Sequence, residues 1–181
     1  GFDGSITATA HSAFDVRVPE RAINGAGLEA NGNHNSGGHW LGGTASPLPF
    51  WFIADLGQSY PLNRVHFYNY GNGLLTEPQN GAGSDRGVLT ASIWLHDGAT
   101  EPNGNNNNPA AFASTGWSLH ESNRAFTIAP ATNPFGVTDI ISLGDTQARF
   151  VALEITANHS TNGFTAFTGI SEMQFFTTPA T

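Results

Sequence analysis

The chain has 181 residues, of which 39% are apolar, and this suits a single domain, residues 1–181, with one hydrophobic core. It has no cysteine, which excludes a disulfide framework, a thiolate zinc site and a cysteine nucleophile. Six arginines and no lysine face fourteen carboxylates, and the resulting net charge of -8 opposes binding to nucleic acid phosphates or anionic lipid.

The sequence also predicts a secreted protein without membrane insertion. No apolar run approaches the roughly 18 residues that a membrane-spanning helix needs. The first ten residues, "GFDGSITATA", lack the basic and apolar segments of an export signal, so we expect any such signal to have been removed. The abundance of Asn, Gly, Thr and Ser with few charges is typical of exported, loop-rich β proteins.

Eight short segments of alternating, β-branched or aromatic residues are separated by clusters of Gly, Pro and Asn. This pattern is typical of an all-β sandwich or barrel, and no long helix is evident. We predict an all-β fold, a β-sandwich jelly roll with about eight main antiparallel strands. The predicted strands are 5–13, 50–57, 64–70, 88–97, 118–128, 139–144, 149–157 and 170–176.

Two loops stand out between these strands. "INGAGLEANG" (23–32) contains the spacing G-x-G-x-x-A of dinucleotide sites, but neither a buried strand before it nor a helix after it is predicted, so the match is weak. The second loop, "ATEPNGNNNNPAA" (99–111), is of low complexity and is predicted to be a mobile connection.

The sequence shows no arrangement of residues for catalysis. The seven histidines are scattered, without the spacing of a zinc site, and no carboxylate pair or nucleophile with its base is visible. We therefore predict that the chain is not an enzyme.

Several segments taken in order carry a resemblance over residues 5 to 177. They are "PERAINGAGL", Trp40, "FWFIADLG", "RVHFYNY", "DRGV", Trp117, "ARFVALEITAN" and "GISEMQFF". In this order they resemble the discoidin or factor 5/8 C-terminal domain family, which includes carbohydrate-binding modules of the galactose-binding jelly-roll type. The chain departs from the family pattern at Asn24, where the family has aspartate, and in the inserted loop 99–111.

The resemblance implies a structural calcium ion between the opening loop, "RAINGAGLEANGNHNSGG" (21–38), and the last strand. Calcium takes six to eight oxygen ligands. The implied ligands are the carbonyls of Ala22 and Gly27 and the side chains of Asn24, Ser36 and Glu172. Asn24 removes one negative charge from this set, for which Glu29 would compensate. The alternative is a metal-free loop held by hydrogen bonds from asparagine side chains to the backbone.

The resemblance also implies a sugar site at one end of the sandwich. A sugar needs an exposed aromatic ring for the pyranose face and a few fixed donors and acceptors. The implied ligand-binding residues are Asn69, Tyr70, Arg86, Asn158, His159, Phe164 and Phe167. Alternatives stand beside them: Phe167 caps the core, or Arg86 pairs with Asp85 or Glu77 on the surface. Trp40 and Trp51 match packing positions, whereas Trp94 either fills the core or lines a concave face.

Together these features predict a non-catalytic carbohydrate-binding module that targets a secreted polysaccharide-degrading enzyme to its glycan. Its ligand would be a galactose-type or an acidic or algal polysaccharide, and the module would be a monomeric part of a multidomain chain. A protein-binding or adhesive module and a structural spacer domain are the alternatives.

Overall fold

A computed structural model describes residues 6–43, 48–72, 83–102, 112–113, 116–160 and 167–178. Its strands are β1 (Thr7–Ala10), β2 (Trp40–Gly43), β3 (Phe50–Asn69), β4 (Val88–His96), β5 (Ser118–Ala125), β6 (Asp139–Asn158) and β7 (Phe167–Thr177). Its helical structure includes short 3-10 turns at Pro19–Ala22 and Ser84–Arg86. No helix within the described ranges is long and apolar enough to cross a membrane.

The strands form an antiparallel sandwich in which two 20-residue strands, β3 and β6, pass from one layer to the other. In one layer, the first half of β3 lies between β1 and the second half of β6. The second half of β6 also pairs with β4, and β4 pairs with β5 at the edge of this layer. The second half of β3 pairs with β7 and with the first half of β6, and β2 extends that layer beyond β7. The register of β3 and β6 shifts between Asp55 and Tyr60, where Gly57 has a φ of 82°. This irregularity bends β3 between the layers.

The predicted all-β sandwich is confirmed, with a different strand count. The segments 50–57 and 64–70 are the two halves of β3, and 139–144 and 149–157 are the two halves of β6. The polar residues between these halves were interpreted as loops, but they continue the strand through its bend. Strand β2, "WLGG", was missed because four residues with two glycines give no alternation.

The main core lies between the layers and is built from one face of each strand. In β3 the residues Phe50, Phe52, Ala54 and Leu56 belong to this core, as does Trp40. This placement confirms that successive residues of β3 point to opposite faces.

A second apolar cluster covers the outer face of the layer that contains β1. It consists of Trp51, Ile53, Trp94, Phe112, Trp117, Phe150 and Ala152. Trp94 therefore packs outside the main core, and its indole nitrogen donates to a carboxylate oxygen of Glu154 at 3.1 Å. Phe112 and Trp117 follow the Asn-rich insertion, of which residues 103–111 lie outside the described ranges.

Candidate functional site

One end of the sandwich brings several of the predicted site residues together. Here β3 and β6 end while β4 and β7 begin, and Val88 of β4 pairs with Asn158 of β6. Gly87 and Gly169 form a parallel bridge that joins the start of β4 to the start of β7. Four strand ends thus converge, which is where a rigid scaffold can present loop side chains.

Asn69 is fully buried at this convergence and holds the backbone in place. Its side-chain nitrogen donates to the carbonyls of Val88 and Thr127, both at 2.8 Å. Its side-chain oxygen accepts from the amides of Tyr70 at 2.9 Å and Val88 at 2.8 Å. Because these four bonds use the donors and acceptor of the amide, we assign Asn69 a positioning role; ligand contact at this residue stays a prediction.

Asn158 and His159 tie the end of β6 to its neighbours. The buried Asn158 donates from Nδ2 to the carbonyl of Phe167 at 2.9 Å, and its Oδ1 accepts from the amide of Ser160 at 3.2 Å. The Nε2 of His159 lies 3.0 Å from the carbonyl of Phe126. Burial lowers the pKa of His159, so its imidazole is neutral at pH 7. Both side chains therefore fix the loop from which β7 starts.

Phe167 and Arg86 form the partly exposed part of the site. The guanidinium carbon of Arg86 lies 4.7 Å from the centre of the Phe167 ring. The ring of Phe14 is nearly perpendicular to that of Phe167, and their centres are 5.0 Å apart. The Phe167 ring packs on Gly43, where a Cβ atom would lie 2.1 Å from it. Phe167 is thus held beside the main core rather than within it. Phe164, predicted to stack on the ligand, lies outside the described residues, as does Glu77.

Tyr70 lies beneath this pair with 3% of its surface exposed. Its ring meets His39 edge to face at 4.7 Å, and it occupies the space above Gly169, where a Cβ atom would lie 2.4 Å from the ring. Burial raises the pKa of the Tyr70 hydroxyl, against the opposing influence of Arg86 and Arg17.

The sequence prediction missed Phe14, Arg17 and His39. The Nε of Arg17 donates to Nε2 of His39 at 3.1 Å. Burial, reinforced by the charge of Arg17, lowers the pKa of His39 to about 4, so the imidazole is a neutral acceptor. The turn carrying Phe14 and Arg17 reaches this end because its backbone bonds to Leu41 of β2, the strand that the sequence did not predict.

Asp85 is buried beside the site, with 1% of its surface exposed, rather than on the surface as the predicted pairing with Arg86 required. Neither of its carboxylate oxygens makes a hydrogen bond within the described part of the chain. Burial raises the pKa of Asp85, while the charge of Arg86 acts in the opposite direction.

Glu172 is the best placed of the predicted calcium ligands. It is 1% exposed, and its Oε2 accepts from the amide of Gly25 in the opening loop at 3.1 Å. Burial raises the pKa of Glu172 to about 8. A buried carboxylate with a single amide donor suits a neighbouring cation, because a charge taken from water is costly unless it is compensated.

The other predicted ligands fit the ion less well. The Oδ1 of the exposed Asn24 accepts from the amide of Ala26 at 2.8 Å, and the carbonyl of Gly27 accepts from the amide of Asn35 at 2.8 Å. Ser36 is paired with Asn133 through two hydrogen bonds. Ala22 is buried in its 3-10 turn. Among the described residues no group of three or more His, Asp or Glu side chains forms a metal cluster, so calcium stays a prediction.

The known proteins that resemble this chain do so in their structures and not in their sequences. No protein-family profile and no curated protein sequence matches the chain. Among solved structures, the family 32 carbohydrate-binding module of C. perfringens NanJ in complex with galactose has a TM-score of 0.57 at 14% identity, covering 94% of this chain and 92% of that one.

Two further solved structures are similar over comparable lengths. The family 32 module of AlyQ in complex with 4,5-unsaturated mannuronic acid has a TM-score of 0.52 at 20% identity, covering 94% of this chain and 93% of that one. The lectin domain of lectinolysin complexed with Lewis B antigen has a TM-score of 0.57 at 15% identity, with coverages of 95% and 92%. The predicted fold is therefore confirmed: this chain has a jelly-roll β-sandwich similar to those of the family 32 carbohydrate-binding modules.

Proposed function

We propose that the chain is a non-catalytic carbohydrate-binding module whose site is the end of the sandwich formed by Tyr70, Arg86 and Phe167. The observation that carries this proposal is the guanidinium of Arg86 lying 4.7 Å from a partly exposed phenylalanine ring. An aromatic face receives the apolar face of a pyranose, and a guanidinium supplies paired donors to neighbouring oxygens. The saccharides bound by the similar modules and by the lectin domain support the same class of ligand.

The biological role we propose is to hold a secreted polysaccharide-degrading enzyme on its glycan. A module of this kind raises the effective concentration of a linked catalytic domain without taking part in its chemistry. This role is supported by the fold and by a site built from rings and hydrogen-bond donors.

The proposal is tested by affinity electrophoresis through gels that contain neutral or acidic polysaccharides. We expect Arg86→Ala and Phe167→Ala to abolish retardation of the chain. A matched control exists on β3 and β7, where the guanidinium of Arg64 lies 4.6 Å from the Phe176 ring. Arg64→Ala removes a similar pair away from the site and should leave retardation unchanged.

Two results would contradict this proposal. Loss of retardation in the Arg64 variant as well as in the site variants would show that the effect is not local. Absence of retardation by every polysaccharide would reject sugar binding and favour the protein-binding or spacer alternatives.

We also propose a structural calcium ion beside Glu172. The carboxylate would be its charged ligand, with carbonyls of the opening loop completing the coordination. When bound, the ion would compensate the buried negative charge and fasten the loop to β7. The burial of Glu172 and its bond to Gly25 support this proposal.

A further inference from the structure

Two arginine guanidiniums lie beside the aromatic pair Phe14 and Phe167 at the proposed sugar site. The guanidinium carbon of Arg17 lies 6.0 Å from the centre of the Phe14 ring, and Phe14 meets Phe167 at 5.0 Å. The guanidinium carbon of Arg86 lies 4.7 Å from the centre of the Phe167 ring. Two of the six cationic side chains in an acidic chain therefore lie at one end of the sandwich.

Arg17 is held in a fixed position by a neutral partner. Its Nε donates to the buried His39 at 3.1 Å, and the edge of His39 contacts Tyr70. This hydrogen bond uses one of the guanidinium nitrogens. Within the described part of the chain, the two terminal nitrogens of Arg17 make no hydrogen bond. Such a guanidinium is ready to bind a group with two oxygens.

The guanidinium of Arg17 also differs from those of two other arginines in its partners. Arg149 makes a bidentate pair with Asp55, and Arg124 pairs with Glu121. Arg17 has no ion pair among the described residues, and Asp15 and Glu20, its acidic neighbours in sequence, are exposed. Asp85 is the buried acid beside Arg86. The charge of Arg17 is thus left without a paired carboxylate among the described residues, on a molecule whose net charge is -8.

We propose that this end of the sandwich selects anionic saccharides, with Arg17 binding the carboxylate or sulfate of the sugar while Arg86 and Phe167 hold its ring. This inference rests on the proposed function, because it names the class of sugar for the same site. Arg17 is a specificity-determining residue: a neutral sugar needs only the ring and the hydroxyl donors, whereas an anionic sugar gains a charge-assisted pair.

The test is titration calorimetry with three oligosaccharides of equal length: a neutral galacto-oligosaccharide, a galacturonate and a sulfated galacto-oligosaccharide. We expect the wild type to bind at least one of the anionic ligands about tenfold or more tightly than the neutral one, in line with a charge-assisted contact. Arg17→Gln should remove that preference, because it should weaken binding of the anionic ligands about tenfold more than binding of the neutral one. Arg17→Lys should keep part of it, and Arg64→Gln should keep all of it.

Each outcome separates the inference from the proposed function. Equal binding of neutral and anionic ligands, unchanged in Arg17→Gln, overturns the inference and leaves sugar binding standing. An equal loss for all three ligands in Arg17→Gln shows that Arg17 only supports the site, which also overturns it. Failure of the wild type to bind any saccharide rejects both. The galacturonate and sulfated ligands show which anionic group the site prefers.

Discussion

Asn69 and Glu172 show how single buried side chains determine the site without lying at its surface. Asn69 satisfies four backbone groups where β3 ends, so the strand can leave the sheet without unpaired amides and carbonyls in the interior. Tyr70 follows directly and is placed against His39 and Gly169. The residue that looked like a ligand in the sequence thus orients the next residue along the chain.

His39 gives a prediction about acid stability. In the unfolded chain His39 binds a proton as the pH falls below about 6.5, whereas in the folded chain it stays neutral until about pH 4. Stability is therefore present above pH 6.5 and is lost as the pH falls through this window, by about 3 kcal/mol at most. His39→Gln keeps an acceptor for Arg17 and cannot titrate, so its free energy of unfolding should fall less between pH 6.5 and 4.

Urea denaturation of both proteins at several pH values measures this difference. The charged and titratable groups around His39 are Arg17, Arg21 and His34, and all three disfavour its protonation. They are retained in the variant, so their own contributions cancel in the comparison. Parallel pH profiles for wild type and His39→Gln would contradict the prediction.

At the scale of elements, the hydrogen bond from Gly25 of the opening loop to Glu172 of β7 leads to a prediction about how calcium changes stability. Without calcium at pH 7, Glu172→Gln should be more stable than wild type, because burial raises the pKa of Glu172 to about 8 and the side chain must take up a proton on folding, whereas glutamine is already neutral and still accepts from Gly25. With calcium the order should reverse, because the wild type binds the ion through Glu172. At a calcium concentration 100 times the dissociation constant, the gain is about 2.7 kcal/mol.

Thermal unfolding with chelator and with added calcium measures both halves of this prediction. Glu121→Gln, which removes a surface carboxylate paired with Arg124, is the matched control and should respond to calcium as the wild type does. If calcium leaves the melting temperature of the wild type unchanged, the loop is metal-free and held by its asparagine hydrogen bonds, such as that of Asn24 to Ala26.

The sequence predicts the strands well where apolar and polar side chains alternate. It predicts them poorly where a strand bends through loop-like residues or is too short to show alternation. The apolar face of β3 is visible in "FWFIADLG", and so its first half was predicted within one residue. The bend at Gly57 has the composition of a loop although the strand continues past it. Strand β2 has no alternation, and its partners Ile170 and Phe167 lie more than a hundred residues away, so only the folded chain reveals it.

At the scale of the whole molecule, the resemblance in the order of motifs predicted the end of the sandwich that carries the candidate site. Tyr70, Arg86, Asn158 and Phe167 converge there as expected. The other half of the site was not predictable, because Arg17 and His39 are brought in by the pairing of β2 with β7. The sequence likewise gave no sign that Arg17 and Arg86 lie at the same end of the sandwich.

The small, partly exposed site also predicts how the molecule retains a polysaccharide. Its described parts are one aromatic pair and two guanidiniums, so we expect a dissociation constant of about 0.1 to 1 mM for a single saccharide chain, or about 4 to 5.5 kcal/mol. Two copies joined by a flexible linker convert the second binding event into an intramolecular one, and retention should rise by about 100-fold or more.

Gel retardation of the single chain, the tandem chain and a tandem chain carrying Arg86→Ala in one copy measures this gain. The tandem chain with one altered copy has the same size and nearly the same charge as the unaltered tandem chain, so it isolates the contribution of the second site. It should behave like the single chain, because only one site remains to bind. If it is retained as strongly as the unaltered tandem chain, binding lies elsewhere on the surface than at Arg86.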